Sequence, residues 1–118
     1  MINGAHLLIY TTNPDADRAF VRDVLGFRSV DAGGGWLIFA LPPGEVAFHP
    51  GERQAAELYL MCDDLNATIA WLEKKHVRCG EVATERWGIR TTIKMPSGAE
   101  IGLYQPTHPT AIGDTAAR

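Results

Sequence analysis

The same order of elements is written twice within 118 residues, and a chain organised in that way has few folds open to it. In the first copy, residues 5–12 are apolar and β-branched and read as a strand. Asn13 is a good helix N-cap, and Pro14 suits the first helical position, where its missing N–H costs nothing. Over residues 15–25, Ala16, Phe20 and Val24 fall at i, i+4 and i+8, with Ala19 and Leu25 widening the apolar stripe; Asp17, Arg18, Arg22 and Asp23 cover the other side. Gly26 ends the helix in the left-handed position. Three extended segments follow, 27–32, 36–41 and 45–49, parted by Gly33-Gly34-Gly35 and Pro42-Pro43-Gly44. After a polar connector at 50–56 the order restarts with a strand at 57–62, an Asp63-Asp64 cap and a helix over about 65–75 carrying Leu65, Ile69 and Leu72 on one face. Strands at 77–82, 87–95 and 99–105 complete it, the last two separated by Pro96-Ser97-Gly98. His6 falls over Glu57, Asn13 over Asp64 and Phe27 over Val77, at offsets near fifty.

The architecture expected is α+β: two tandem βαβββ modules, at about 5–50 and 57–106, in a single domain 1–106 followed by a small-residue tail 107–118. A chain of this length buries roughly two thirds of its unfolded surface, enough for a core without disulfide or metal staples. Cys62 and Cys79 are seventeen apart, outside any CxxC or CxxH arrangement, and read as two reduced thiols. Eleven Lys+Arg against fourteen Asp+Glu give a net charge of −3, a poor basis for nucleic-acid binding, which needs a clustered basic face. The longest apolar run, residues 36–41, is far short of a membrane span, and no basic-then-apolar leader is read, so neither membrane nor nucleic acid is expected as a partner and a cytoplasmic location is.

His6 at the head of the first strand, the helix and exit from Asp15-Ala16-Asp17-Arg18-Ala19-Phe20 to Leu25-Gly26-Phe27, the Cys62-Asp63-Asp64-Leu65 lead into the second helix, and the Pro96-Ser97-Gly98-Ala99-Glu100-Ile101-Gly102-Leu103-Tyr104 hairpin together carry a family resemblance. Over residues 5–106 the chain resembles the vicinal oxygen chelate superfamily of glyoxalase I, bleomycin-resistance proteins and extradiol dioxygenases. The resemblance implies paired modules whose curled mixed sheets form a cup with two helices outside, commonly completed in a homodimer. In metal-dependent members, ligands come from the first and last strands of each module. The first-strand positions match His6 and Glu57, an imidazole and a carboxylate acceptable to Fe, Mn, Ni or Zn. The last-strand position of the second module matches Gly102, which has no side chain to coordinate with, and that of the first falls on Val46 or Phe48 according to the anchor chosen. The expected protein is therefore metal-free and without a cofactor; the alternative is a divalent metal held by His6, His49 and Glu57, reached by a one-residue shift of the 45–49 strand.

If the cup face follows these positions, alternation turns Tyr10, Tyr59, Met61, Glu100, Gly102 and Tyr104 inward, together with Phe48. Such an aromatic and apolar lining suits a planar or aromatic organic ligand, although aromatics on a strand face serve a core as readily as a pocket wall. Removal of the ligands and insertion of Gly102 leave space for it. His6 and Glu57 are also the candidate catalytic pair, a hydrogen-bonded imidazole and carboxylate being a general acid/base unit as well as a common structural device. Gly33-Gly34-Gly35 lacks the lysine and following helix of a phosphate loop and reads as a hairpin turn; His76 and His108 read as surface residues. Two functions are thus expected: a small-molecule binder of the resistance or sequestration type, or a metal-dependent lyase, isomerase or dioxygenase built on His6 and Glu57.

Overall fold

A computed structural model describes residues 6–45, 47–53 and 55–112. The start of the first strand at Ala5, the cup position Val46, Gln54 of the connector and the tail from 113 onward lie outside the described residues.

Helix α1, Pro14–Phe20, begins as its residues dictate: the Asn13 side chain accepts from the Ala16 N–H at 3.2 Å, and Pro14 occupies the first turn. Its continuation Val21–Leu25 widens into a π-helical turn that stops at Gly26, whose φ of 74° is left-handed. Strands β1, Ser29–Asp31, and β2, Leu37–Phe39, form an antiparallel hairpin with Val30 opposite Ile38. The Asp31 carboxylate accepts from the Gly33 N–H at 2.7 Å and the Gly35 N–H at 3.2 Å, folding the turn around one side chain. All three turn glycines have positive φ, at 128°, 62° and 88°, so a residue with a Cβ would be strained at each.

The second half forms a sheet of four strands. Strand β3, Tyr59–Met61, is followed by helix α2, Leu65–Lys74, and by β4, Ala83–Glu85, β5, Gly88–Lys94, and β6, Glu100–Pro106. Their spatial order is β3-β6-β5-β4, with β3 parallel to β6 and the other pairs antiparallel. Two side chains cap α2: Asp64 accepts from the Ala67 N–H at 3.0 Å, and Gln105 of β6 accepts from the Leu65 N–H at 2.9 Å. Leu65 and Leu72, each 1% exposed, pack with Ile93, Met95, Ile101 and Leu103. Each such leucine contributes about 1.5–3 kcal/mol by leaving water. Period-two alternation puts Ile101 and Leu103 on this covered face and turns Gly102 and Tyr104 to the opposite one.

The first half joins this core through α1. Phe20 enters the core cluster, and the Asp17 carboxylate, 6% exposed, accepts from Thr11 Oγ1 at 2.7 Å, the Ser97 N–H at 3.1 Å and Ser97 Oγ at 2.8 Å. Asp17 is thus not on the solvent side where the helical wheel puts it. Three partners make its burial tolerable, and they clasp the first helix to the β5–β6 hairpin. Arg18, beside it, stacks its guanidinium 4.3 Å from the centre of the Trp36 ring.

Several expected strands are shorter or missing among the described residues. Residues 6–10, 45 and 47–49 are in no sheet, 77–82 are reduced to a single bridge from Cys79 to Ile93, and β4 occupies a stretch read as a connection. The 45–49 segment sits between Pro43 and Pro50, which donate no backbone hydrogen bond, so a ladder has little to hold at either end. Without it, the N-terminal segment lacks the neighbour that β6 gives to β3. Cys62 and Cys79 are free and half-buried, and burial pushes both thiols up from their ordinary range. Among the described residues no helix is long and apolar enough to cross a membrane.

Candidate functional site

The face of the sheet left uncovered by α2 carries a groove of about 520 Å³, within the range of small-molecule sites. One wall is the N-terminal segment Leu7, Leu8, Ile9 and Tyr10. The other is the run into β3, from Ala56 to Tyr59, and the floor is Thr92 of β5 with Glu100, Ile101 and Gly102 of β6. The β3–β6 register builds that floor, because it sets Tyr59 beside Gly102 and Met61 beside Tyr104.

Gly102 does not leave an open space. The Tyr59 ring lies directly on it, so that a Cβ at position 102 would overlap three atoms of that ring. A side chain at this position and a ring at 59 compete for one volume, and here the ring fills it. The tyrosine is held in turn by an aromatic cluster. Its ring meets Trp87 and Tyr104 edge to face, with 5.7 Å between centroids in each case, and Trp87 meets Tyr104 at 5.2 Å.

Beyond the cluster, Tyr104 Oη lies 3.0 Å from His108 Nε2. His108 Nδ1 is 2.6 Å from the Pro109 carbonyl, which can only accept, so in the neutral ring Nδ1 carries the proton and Nε2 accepts from the tyrosine. Glu45 closes this end of the molecule: one carboxylate oxygen accepts from the Ala111 N–H at 2.8 Å, and the other lies 3.8 Å from His108 Nε2. Burial, and next to it the Glu45 charge, push the Tyr104 hydroxyl above its ordinary range. His108 is therefore part of a hydrogen-bonded strap and not a free surface histidine. Its distance from the strand repeat hides this in the sequence.

Of the residues singled out in advance, Tyr10, Glu57, Tyr59, Glu100 and Gly102 line the groove together. Tyr104 is 9% exposed and acts from the aromatic cluster at its end, and Met61 is half-buried in β3. Phe48 is 92% exposed and lies outside the groove, and His6 is exposed and is not among its walls. Leu8, which alternation turns inward with Tyr10, is in the wall, whereas Leu7 and Ile9 were missed because alternation assigns them to the other face; Trp87, just ahead of the strand that pairs with β6, joins the aromatic cluster. Among the described residues no three His, Cys, Asp or Glu side chains come together as a metal site, and His6, His49 and Glu57 are not gathered into one. Arg90 reaches back to Glu85 at 3.9 Å and does not enter the groove.

Neither a comparison with family models nor one with curated proteins finds a match for this chain. Solved structures do match. The antibiotic binding protein TnmS3 from Streptomyces sp. CB03234 is 25% identical with a TM-score of 0.64, over 90% of this chain and 98% of that one. A glyoxalase/bleomycin resistance protein from the same Streptomyces is also 25% identical, with a TM-score of 0.54 over 80% of this chain and 93% of its own. The lactoylglutathione lyase of Agrobacterium tumefaciens shares the fold at 17% identity, with a TM-score of 0.56 over 82% and 88% of the two chains. The chain has the α+β fold of the glyoxalase/bleomycin resistance/dioxygenase proteins, and its likeness to these structures supports the vicinal oxygen chelate superfamily.

Proposed function

We propose that this protein is a metal-free small-molecule binder of the resistance or sequestration type, working in the cytoplasm and holding a planar or aromatic organic ligand in the groove between residues 7–10 and the open face of the sheet. The observation that carries the reading is the Tyr59 ring seated on Gly102: the position that would present a ligating side chain in a metal-dependent relative presents a flat aromatic surface instead. An aromatic ligand can stack against Tyr59 and Tyr10 while Leu7, Leu8 and Ile9 remove its other face from water. The similarity to an antibiotic binding protein supports the same reading.

The working form in this reading is a homodimer. Leu8 at 66%, Tyr10 at 90% and Phe48 at 92% exposure are an unusual outlay of apolar surface for a monomer, and a second copy laid against the first half would cover it.

The test is a fluorescence titration, since a ligand on Tyr59 sits within reach of Trp87. Planar aromatic compounds should quench tryptophan emission saturably, with no effect of chelator, and should be recovered chemically unchanged. Turnover that appears on adding Fe(II), Mn, Ni or Zn and disappears with chelator would overturn the proposal.

A further inference from the structure

The two walls of the groove are held in different ways. The run into β3 is bonded straight to the floor: Tyr59 pairs with Gly102, and the Gly102 N–H donates to the Leu58 carbonyl at 3.0 Å. The opposite wall, residues 7–10, belongs to no sheet, and it makes no hydrogen bond to another described residue. What fixes it is the residue at its end. Thr11 Oγ1, which accepts from the Asn13 N–H at 3.3 Å, donates to Asp17 Oδ2 at 2.7 Å.

The same carboxylate oxygen accepts from Ser97 Oγ at 2.8 Å, while Oδ1 accepts from the Ser97 N–H at 3.1 Å. Ser97 Oγ accepts in turn from the Ala99 N–H at 3.1 Å, one residue ahead of Glu100, where the β6 floor begins. Wall and floor thus meet on one oxygen atom. That atom stands on a fixed element, because Asp17 is buried and Phe20, three residues further along α1, enters the core. Hydrogen bonds to a carboxylate in such a place are short and strong, and they leave the end of the wall little room to move.

From this bridge we infer that Thr11, acting through Asp17, is a positioning residue that sets the ligand specificity of the groove. On the floor side the Tyr59 ring is fixed on Gly102 by Trp87 and Tyr104; on the other, the bridge holds the end of the wall that carries Leu8 and Tyr10. With both sides held, the gap accepts a single flat ring system and rejects a branched or propeller-shaped body of the same polarity. An untethered wall swings out to admit the thicker body, and it must be ordered afresh when a flat one binds, which costs affinity. The inference rests on the binding function proposed above and adds to it the residue that selects for flatness.

Two neutral aromatic alcohols read the gap: 9-anthracenemethanol, which is flat, and triphenylmethanol, a three-bladed propeller. The first absorbs where tryptophan emits, so its binding is followed by energy transfer from the protein, and the second is followed by displacement of the first. The native protein should hold the flat probe more tightly by about tenfold or more. Thr11→Val removes the hydroxyl, keeps the shape and leaves Asp17 on Ser97. It should weaken the flat probe by about tenfold, the worth of one hydrogen bond to a charged group, and bring the ratio of the two affinities toward one. Thr11→Ser, which returns the hydroxyl, should restore both the affinity and the ratio. A merely structural role for Thr11 would lower the two affinities together and leave their ratio unchanged. Equal native binding of the two probes, an unchanged ratio in Thr11→Val, or no recovery in Thr11→Ser overturns the inference and leaves the binder intact. Binding of neither probe by the native protein overturns the binding function and the inference with it.

Discussion

The two halves of this chain repeat one order of elements and end in different states. Among the described residues, the second half closes a sheet of four strands under α2 and owns eight of the nine buried hydrophobic residues, the first contributing only Phe20. Among the large exposed hydrophobics of the described residues the balance reverses: eight of ten lie between Leu7 and Phe48, against Trp71 and Val82 in the remainder. The difference arises at the last strand. In the second half β6 pairs with β5 along seven residues and with β3 on its other edge, so one strand organises the sheet. The corresponding segment of the first half is hemmed by prolines, and its described residues supply no such centre. A repeated pattern of apolar positions fixes which faces want burial, and whether they obtain it depends on the backbone donors of a single strand.

The largest effect expected follows from that asymmetry. Leu72→Ala removes a side chain at 1% exposure and should cost about 2–5 kcal/mol in urea unfolding. Leu8→Ala, at a position 66% exposed, should cost under about 0.5 kcal/mol in dilute protein. A second copy covering the first half would make the Leu8 cost rise with concentration, and sedimentation velocity on the same samples would show the association directly. A Leu8→Ala cost equal to that of Leu72→Ala at every concentration would mean that the first half has a closed core of its own.

Gly102→Ala should come next, at about 1–3 kcal/mol, since the added methyl displaces a ring already held by Trp87 and Tyr104. Much of that loss should vanish in a Tyr59→Ala background, where the ring is gone. A double-mutant cycle between the two positions without coupling would show that the ring does not rest on Gly102.

The clasp between the halves is tested at Asp17. Its replacement by alanine leaves the Ser97 N–H without a partner and should cost about 1–3 kcal/mol. The comparison sharpens if the Asp17→Ala loss couples to Ser97→Ala across the eighty residues that separate them in sequence.

Local signals in this sequence were legible because each is a property of a few adjacent residues. Asn13 and Asp64 cap the helices they precede, Gly26 ends the first, and Gly33-Gly34-Gly35 turns a hairpin. The family frame and five of the groove residues could also be read. Partnerships between distant residues could not. Asp17 looks like a solvent-facing helix residue until Ser97 is brought to it, and Gly102 looks like a vacancy until the register lays Tyr59 on it. His108 lies beyond the last strand, where no periodicity exists to assign it, and its role comes from Tyr104 on one side and Glu45 on the other. Period-two reasoning assigns a residue to a face; it does not identify what that face meets.

The smallest effect tests whether the two halves also meet at the far end of the groove. Tyr104 belongs to the second half and Glu45 to the first, and Glu45 contributes, after burial, to raising the tyrosine hydroxyl above its ordinary value of about 10. Because the neutral phenol is the form the fold favours, its contribution to stability is fully present below pH of about 10 and is lost as pH rises through the higher folded value. Tyrosinate absorbance near 295 nm, recorded for the protein and for Tyr104→Phe, should differ by one late-titrating group whose midpoint lies above about 10. In Glu45→Gln that midpoint should move down, part of the way toward the ordinary value, since burial by Trp87 and Tyr59 persists. If Glu45→Gln leaves the midpoint where it was, Glu45 does not stand beside Tyr104 in solution, and this contact between the halves is lost while the one at Asp17 and Ser97 is unaffected.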